Sequence, residues 1–145
     1  MLARMSVSIA RQSTELRMAV FRLARRLRLE KTDDDLSDSQ FGVLAVLNRF
    51  GPHTLSMLAE RERVSPPSMS RTVNFLEARS YLRRDADAAD RRRSNILITE
   101  EGAAVVRETI AKRDAWLTSR MRGLTAEDRA TLAAATDILD RLASE

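Results

Sequence analysis

Between residues 65 and 99 the hydrophobic period of the chain changes from that of a helix to that of a strand. Few folds accommodate this change in so short a span. Ser65 is placed to cap a helix, and Pro66 falls in the first helical position, where its missing N–H costs nothing. Met69, Val73 and Leu76 then form one apolar stripe, which ends near Ser80. Soon afterwards "SNILIT" alternates, with Ile96 and Ile98 on one face, and "YLRRD" upstream can pair with it. The tip of the resulting hairpin lies in "RRDADAADRRRSN", residues 83–95, which holds no glycine or proline.

The flanking segments read as helices. From Ser6 to Glu30, Leu16, Val20, Leu23 and Leu27 recur at four- and three-residue steps among arginines. "TDDDLSDS" (32–39) interrupts this pattern and supplies caps for "DSQFGVLAVLNRF", with Phe41, Leu44, Ala45 and Leu47 apolar and a stop at Gly51-Pro52. Thr54 caps a short helix burying Leu55, Leu58 and Ala59, and "ERERVS" (60–65) reads as the turn after it. Thr99 caps a long helix from Glu100 to about Arg122, apolar at Val106, Ile110, Leu117 and Met121, with Gly123 as its C-cap. Thr125, with Asp128 three residues on, opens the last helix, apolar at Leu132, Leu139 and Leu142.

This order predicts a single domain over 1–145. The fold class is mainly α with a small two-stranded β wing. A winged helix-turn-helix lobe spans 37–99, and outer helices (6–31 and 100–145) flank it. The outer helices have stripes too narrow for an independent domain. Dimerisation through Leu16, Val20, Leu23, Leu117, Leu132 and Leu139 is the expected use of them.

Composition removes several classes of function. There is no cysteine, so disulfides, thiolate metal sites and thiol redox sensing are excluded. No apolar run is long enough for a bilayer and no signal-peptide core is present, so no membrane partner and a cytoplasmic location are expected. The net charge is +4, and Lys31 and Lys112 are the only lysines. The positive charge is therefore nearly all arginine, whose planar fork suits phosphates and guanine edges. A GC-rich genome gives the same bias, and composition does not choose between the two.

In a helix-turn-helix the second helix enters the major groove while the first braces it. Opposite Met69, Val73 and Leu76, the 65–79 helix carries Pro67, Arg71, Asn74 and Ala78, flanked by Ser68, Ser70 and Phe75. Arginine pairs with guanine N7 and O6, asparagine with adenine N6 and N7, and serine hydroxyls with phosphates. Ser65, Pro67, Ser68, Ser70, Arg71 and Asn74 are thus candidate DNA-binding residues. The basic hairpin that follows them is a second candidate contact. The bland account of Arg71 and Asn74, a solvated face, is less favoured beside a cap, a turn and a basic hairpin.

Other motifs carry less. His53 is the sole histidine and stands at a turn with only carboxylates to help it bind a metal. "TDDDLSD" lacks the sixth-position glycine and twelfth-position glutamate of a calcium loop. No nucleophile motif, phosphate-binding glycine loop or catalytic carboxylate pair is present, so no enzyme and no cofactor are expected. "RLARRLRLEK" lacks the aromatic anchors of a membrane-surface helix, and Trp116 reads as packing.

The span "SPPSMSRTVNFLEARSYLRRDADAADRRRSNILITEEG" resembles the MarR family of bacterial transcription regulators. Asp90, Arg91, Arg92, Ile96, Ile98, Thr99 and Gly102 match its D-R-R, strand and L-T-x-x-G pattern at the same spacing. Arg84 stands where the family carries an arginine on the first wing strand. Ser70, Arg71, Leu76 and Glu77 match its recognition helix. The match in motifs covers about 54–102, and helix order agrees over the whole chain. The resemblance implies a homodimer that binds a pseudo-palindromic operator, usually as a repressor, and is released by a small aromatic or anionic effector. By the same resemblance Arg84, Asp90, Arg91 and Arg92 join the DNA-binding residues, with Arg92 entering the minor groove and Asp90 orienting a wing arginine. Four positions depart from the family. Glu62 and Arg63 replace a hydrophobic residue and a glycine in the turn, Ser80 replaces a glycine after the recognition helix, and Ala88 replaces a wing proline. Arg61 and Arg63 are equally readable as phosphate contacts or as a solvated charge run. A winged-helix protein–protein adaptor without sequence-specific DNA binding is the alternative reading.

Overall fold

The computed structural model describes residues 8–86 and 94–144. The chain resolves into two compact units, Lys31–Lys112 and Met1–Glu30 with Arg113–Glu145.

The Lys31–Lys112 unit is the winged helix. Helix α2 (Asp38–Phe50) begins with a full capping box, in which Ser37 and Gln40 each bond the other's backbone N–H. Thr54 caps α3 (Leu55–Glu62) and Ser65 caps α4 (Pro66–Ala78) through its bond from the Ser68 N–H. The turn between them is shorter than "ERERVS" suggested, because α3 continues through Glu62. It closes there with Arg63 N–H on Glu60 O and Val64 N–H on Ala59 O. This end requires a left-handed residue, and Arg63 supplies it at φ 53°.

The wing has β2 (Leu82–Ala86) antiparallel to β3 (Ser94–Ile98), with Leu82 opposite Ile98 and Arg84 opposite Ile96. A strand not expected from the sequence, β1 (His53–Thr54), pairs with the other edge of β3, giving the order β1-β3-β2. His53 is therefore buried within a sheet, and its Nδ1 lies 2.7 Å from Gly51 O. The carbonyl can only accept, so this nitrogen carries the proton. Two residues are too few for a period-2 signal, which is why the sequence shows only a turn here.

One core joins these elements. Val43, Leu44 and Leu47 of α2, Leu58 and Ala59 of α3, Met69, Val73 and Leu76 of α4, and Leu82 and Ile96 of the wing are all buried. Helix α5 (Glu100–Arg122) adds Val105 and Val106. Its start is fixed by Thr99, whose Oγ1 accepts from the Gly102 N–H at 3.1 Å and donates to Ser80 O. Ile110, expected in the apolar stripe of α5, is exposed.

In the other unit, α1 (Ile9–Arg28) and α6 (Ala126–Ala143) bury no residue at all. Trp116 lies between Arg26 and Arg120, their guanidinium carbons 4.7 and 5.3 Å from the ring centre. This is the packing role expected of it.

Candidate nucleic-acid interface

Helix α4 separates its faces cleanly. Met69, Val73 and Leu76 face the core, while Pro67, Arg71, Asn74 and Ala78 are exposed. At its first turn, Ser65 Oγ donates to Ser68 Oγ at 3.0 Å and Arg71 Nη2 donates to the same oxygen at 3.2 Å. Ser68 therefore tethers the guanidinium to the helix N-terminus, where the backbone partial charge already favours an anion. Ser70 is half-buried beside this face. Ser65, Ser68 and Arg71 are thus brought together at the start of this face.

Arg84 is placed differently. Its Nε donates to Glu77 Oε2 at 3.2 Å and its Nη2 donates to Asn74 Oδ1. The wing strand is thus fastened to the outer face of α4, and two expected DNA contacts bond to each other. Neighbouring Arg83 pairs with Asp85 on the same strand. Asp90, Arg91 and Arg92 lie outside the described residues, so the expected wing-tip contact falls there too. Arg61 stacks on Phe50, its guanidinium carbon 4.0 Å from the ring centre.

The end of α4 is secured by groups that the sequence did not single out. Arg79 donates to Asp33 Oδ2 at 3.1 Å and to Asp35 Oδ2 at 2.9 Å, and Tyr81 Oη donates to Asp33 Oδ2 at 2.7 Å. The Asp35 N–H closes on Asp33 Oδ1. The Tyr81 hydroxyl, with the Asp35 N–H and the Arg79 charge, holds the Asp33 carboxyl below the usual carboxylate range, against the opposing effect of burial. The same bond, helped by burial, pushes the Tyr81 phenol up. "TDDDLSD" therefore anchors the entrance of the lobe to the end of α4. A clue was present in Arg79 and Tyr81, which flank a helix end 46 and 48 residues away from Asp33. Nothing local connects them.

Ser80 carries the chain out of α4 at φ 62°. Its N–H bonds Glu77 O and the Tyr81 N–H bonds Leu76 O, the two bonds of a left-handed helix stop. Both departures from family glycines, Arg63 and Ser80, thus keep the glycine conformation without the glycine.

In the other unit, Leu16, Val20, Leu23, Leu132 and Leu139 are exposed, and Leu117 is half-buried. Phe21, Ile138 and Leu142 extend the exposed apolar surface. Among the described residues no group of His, Asp or Glu could hold a metal, and no helix is long and apolar enough to cross a membrane.

Comparison with known proteins places this geometry. Residues 34–93 match the MarR family. An HTH-type transcriptional regulator of Mycobacterium leprae, ML2140, is 35% identical over 138 residues, covering 95% of this chain and 96% of its own. The crystal structure of a transcriptional regulator from Pseudomonas aeruginosa superposes with a TM-score of 0.85 at 33% identity, covering 94% of this chain and 96% of that one. BpsR of Bordetella bronchiseptica, whose DNA binding is regulated by 6-hydroxynicotinic acid, shares the fold with a TM-score of 0.62 at 24% identity, over 88% of this chain and 97% of its own.

Proposed function

The chain belongs to the MarR family of transcriptional regulators, and from that premise we propose that it is a homodimeric repressor of a pseudo-palindromic operator, released by a small aromatic or anionic effector. The observation that carries the reading is the exposed polar face of α4, with Arg71 already tethered beside the helix N-terminus. Two such helices, about 34 Å apart, would enter successive turns of one face of the duplex. Ser65 and Ser68 would meet phosphate, Arg71 would take a guanine edge, and Pro67 and Ala78 would let the backbone approach closely. Arg91 and Arg92 would follow the minor groove. Occupancy of the operator would exclude polymerase.

The dimer reading is supported by α1 and α6, which carry leucines and valine but bury none of them. Dimerisation would use Leu16, Val20, Leu23, Leu117, Leu132 and Leu139. Regulation of BpsR by an aromatic acid supports an effector of that class for this chain. Such an effector would act by changing the separation of the two reading heads. A regulator working on chromosomal DNA would be cytoplasmic.

Duplexes selected from a random pool, titrated at several salt concentrations, test the reading. Specific binding should weaken steeply with salt, by about 10³-fold or more between 50 and 200 mM if six or more phosphates are contacted. Arg71→Ala should cost about 1–3 kcal/mol on the selected site and relax one base position. A protein–protein adaptor would enrich no sequence and show no salt slope.

A further inference from the structure

We propose that Glu77 and Arg84 determine which base Asn74 can read, turning it from an adenine reader into a donor that favours guanine. The inference rests on the proposed placement of α4 in the major groove. Arginine has only donors, so the Asn74 atom facing Arg84 Nη2 must be the carbonyl Oδ1, and the amide orientation follows from chemistry rather than from a choice between look-alike atoms. Glu77 Oε2 holds the same guanidinium at Nε, 3.2 Å away, a charge-assisted bond. The stem of Arg84 is set by β2, where it stands opposite the buried Ile96. The clamp therefore has a fixed root, a charged anchor and a defined acceptor.

Bidentate recognition of adenine needs both amide groups, with Oδ1 accepting from N6 and Nδ2 donating to N7. Here Oδ1 already accepts from a cation. One lone pair remains, but a second donor brought to it would meet the guanidinium charge. The Nδ2 hydrogens are left to face outward, strengthened as donors by the polarised carbonyl. An edge offering donors alone matches the two acceptors of guanine, O6 and N7, and is mismatched to the amino groups of adenine and cytosine. Glu77 is thus a positioning residue that acts on base choice through Arg84 without touching the base.

The test is selection of duplexes from a random pool by the full chain and four variants. Asn74→Ala identifies the base position concerned, as the one whose preference disappears. The parent should favour guanine over adenine there by about tenfold. Arg84→Met keeps the stem and removes the donors, so preference should move to adenine, and Glu77→Ala should move it part of the way. Asn74→Asp presents an oxygen outward and should favour cytosine. Thermal midpoints confirm that each variant is folded, and if Arg84→Met is not, Glu77→Ala and Asn74→Asp decide the matter. Adenine at the parent's position, or an unchanged preference in the folded Arg84 and Glu77 variants, overturns the inference while leaving DNA reading by α4 intact. An Asn74→Ala variant that selects the parental sequence also overturns it alone. A parent that enriches no sequence overturns this inference and the proposed function together.

Discussion

Gly42 and Gly102 both lie inside helices, and replacing each with alanine should move stability in opposite directions. A Cβ at Gly102 would stand 2.1 Å from Tyr81 O and 2.9 Å from Ile98 Cγ1. The nearer atom is backbone and is not free to retreat. Tyr81 O accepts from the Thr99 N–H at 3.1 Å, and the Tyr81 N–H bonds Leu76 O at 3.0 Å. Relief requires lifting the first turn of α5 off the wing or breaking those bonds. Overpacking of this kind costs about 1–3 kcal/mol, and each lost hydrogen bond adds about 1 kcal/mol. The gain in helix propensity returns at most about 1 kcal/mol. Gly102→Ala should therefore lose about 2–4 kcal/mol by the same balance. At Gly42 the nearest atom is Glu62 Oε2 at 3.6 Å, an ordinary contact with a flexible side chain. Gly42→Ala should gain up to about 1 kcal/mol. Urea unfolding at one fixed protein concentration, with the slope unchanged, measures both. If Gly102→Ala is as stable as the parent, the start of α5 does not rest on the Tyr81 carbonyl.

Three further outcomes follow from other parts of the molecule. Ser80→Gly and Arg63→Gly should each stabilise by about 0.5–1 kcal/mol, since each relieves a left-handed residue while the bonds at these helix ends run through main chain; loss of stability would show that the side chains matter more than φ. Asp33 has a lowered pKa in the fold, so its contribution is present above the unfolded value of 3.8 and disappears as pH falls through the folded value. Tyr81 is raised, so its contribution is present below 10.0 and disappears as pH rises through the folded value. Unfolding of Tyr81→Phe against pH should accordingly differ from the parent most at intermediate pH, and an equal difference at pH 2 would contradict the assignment. Leu16→Glu with Leu139→Glu should yield a smaller species by light scattering, and an unchanged mass would remove these positions from the dimer surface.

Most of the scaffold was legible in the sequence because it is written in local rules. Ser65 before Pro66, Thr54 and Thr99 are caps whose effect reaches only three residues. The stripe of Met69, Val73 and Leu76 needs nothing but a helical period. Two kinds of feature escaped. Strand β1 is too short to show a period, and its existence depends on β3 some forty residues later. The Asp33–Arg79–Tyr81 group joins an acidic linker to a distant helix end, and charges in a linker look alike whether paired or solvated. At the candidate interface the face of α4 was readable, since burial of one stripe exposes the other. The engagement of Arg84 by Glu77 and Asn74 was not, because arginine on a wing strand is equally suited to phosphate or to carboxylate.

The terminal helices have a consequence for abundance. α1 has 20 residues and α6 has 18, and neither buries a side chain within this chain. Helices of this length gain little from propensity alone and are held mainly by what packs on them. If the cover is a second copy, their order follows mass action. Dilution then loosens these helices before it touches the lobe that reads DNA. A cell that makes fewer copies of such a regulator would then have fewer occupied operators for two reasons: fewer molecules, and a smaller fraction of them fully assembled. The response to gene dosage would be steeper than linear, with no cooperativity needed on the DNA itself.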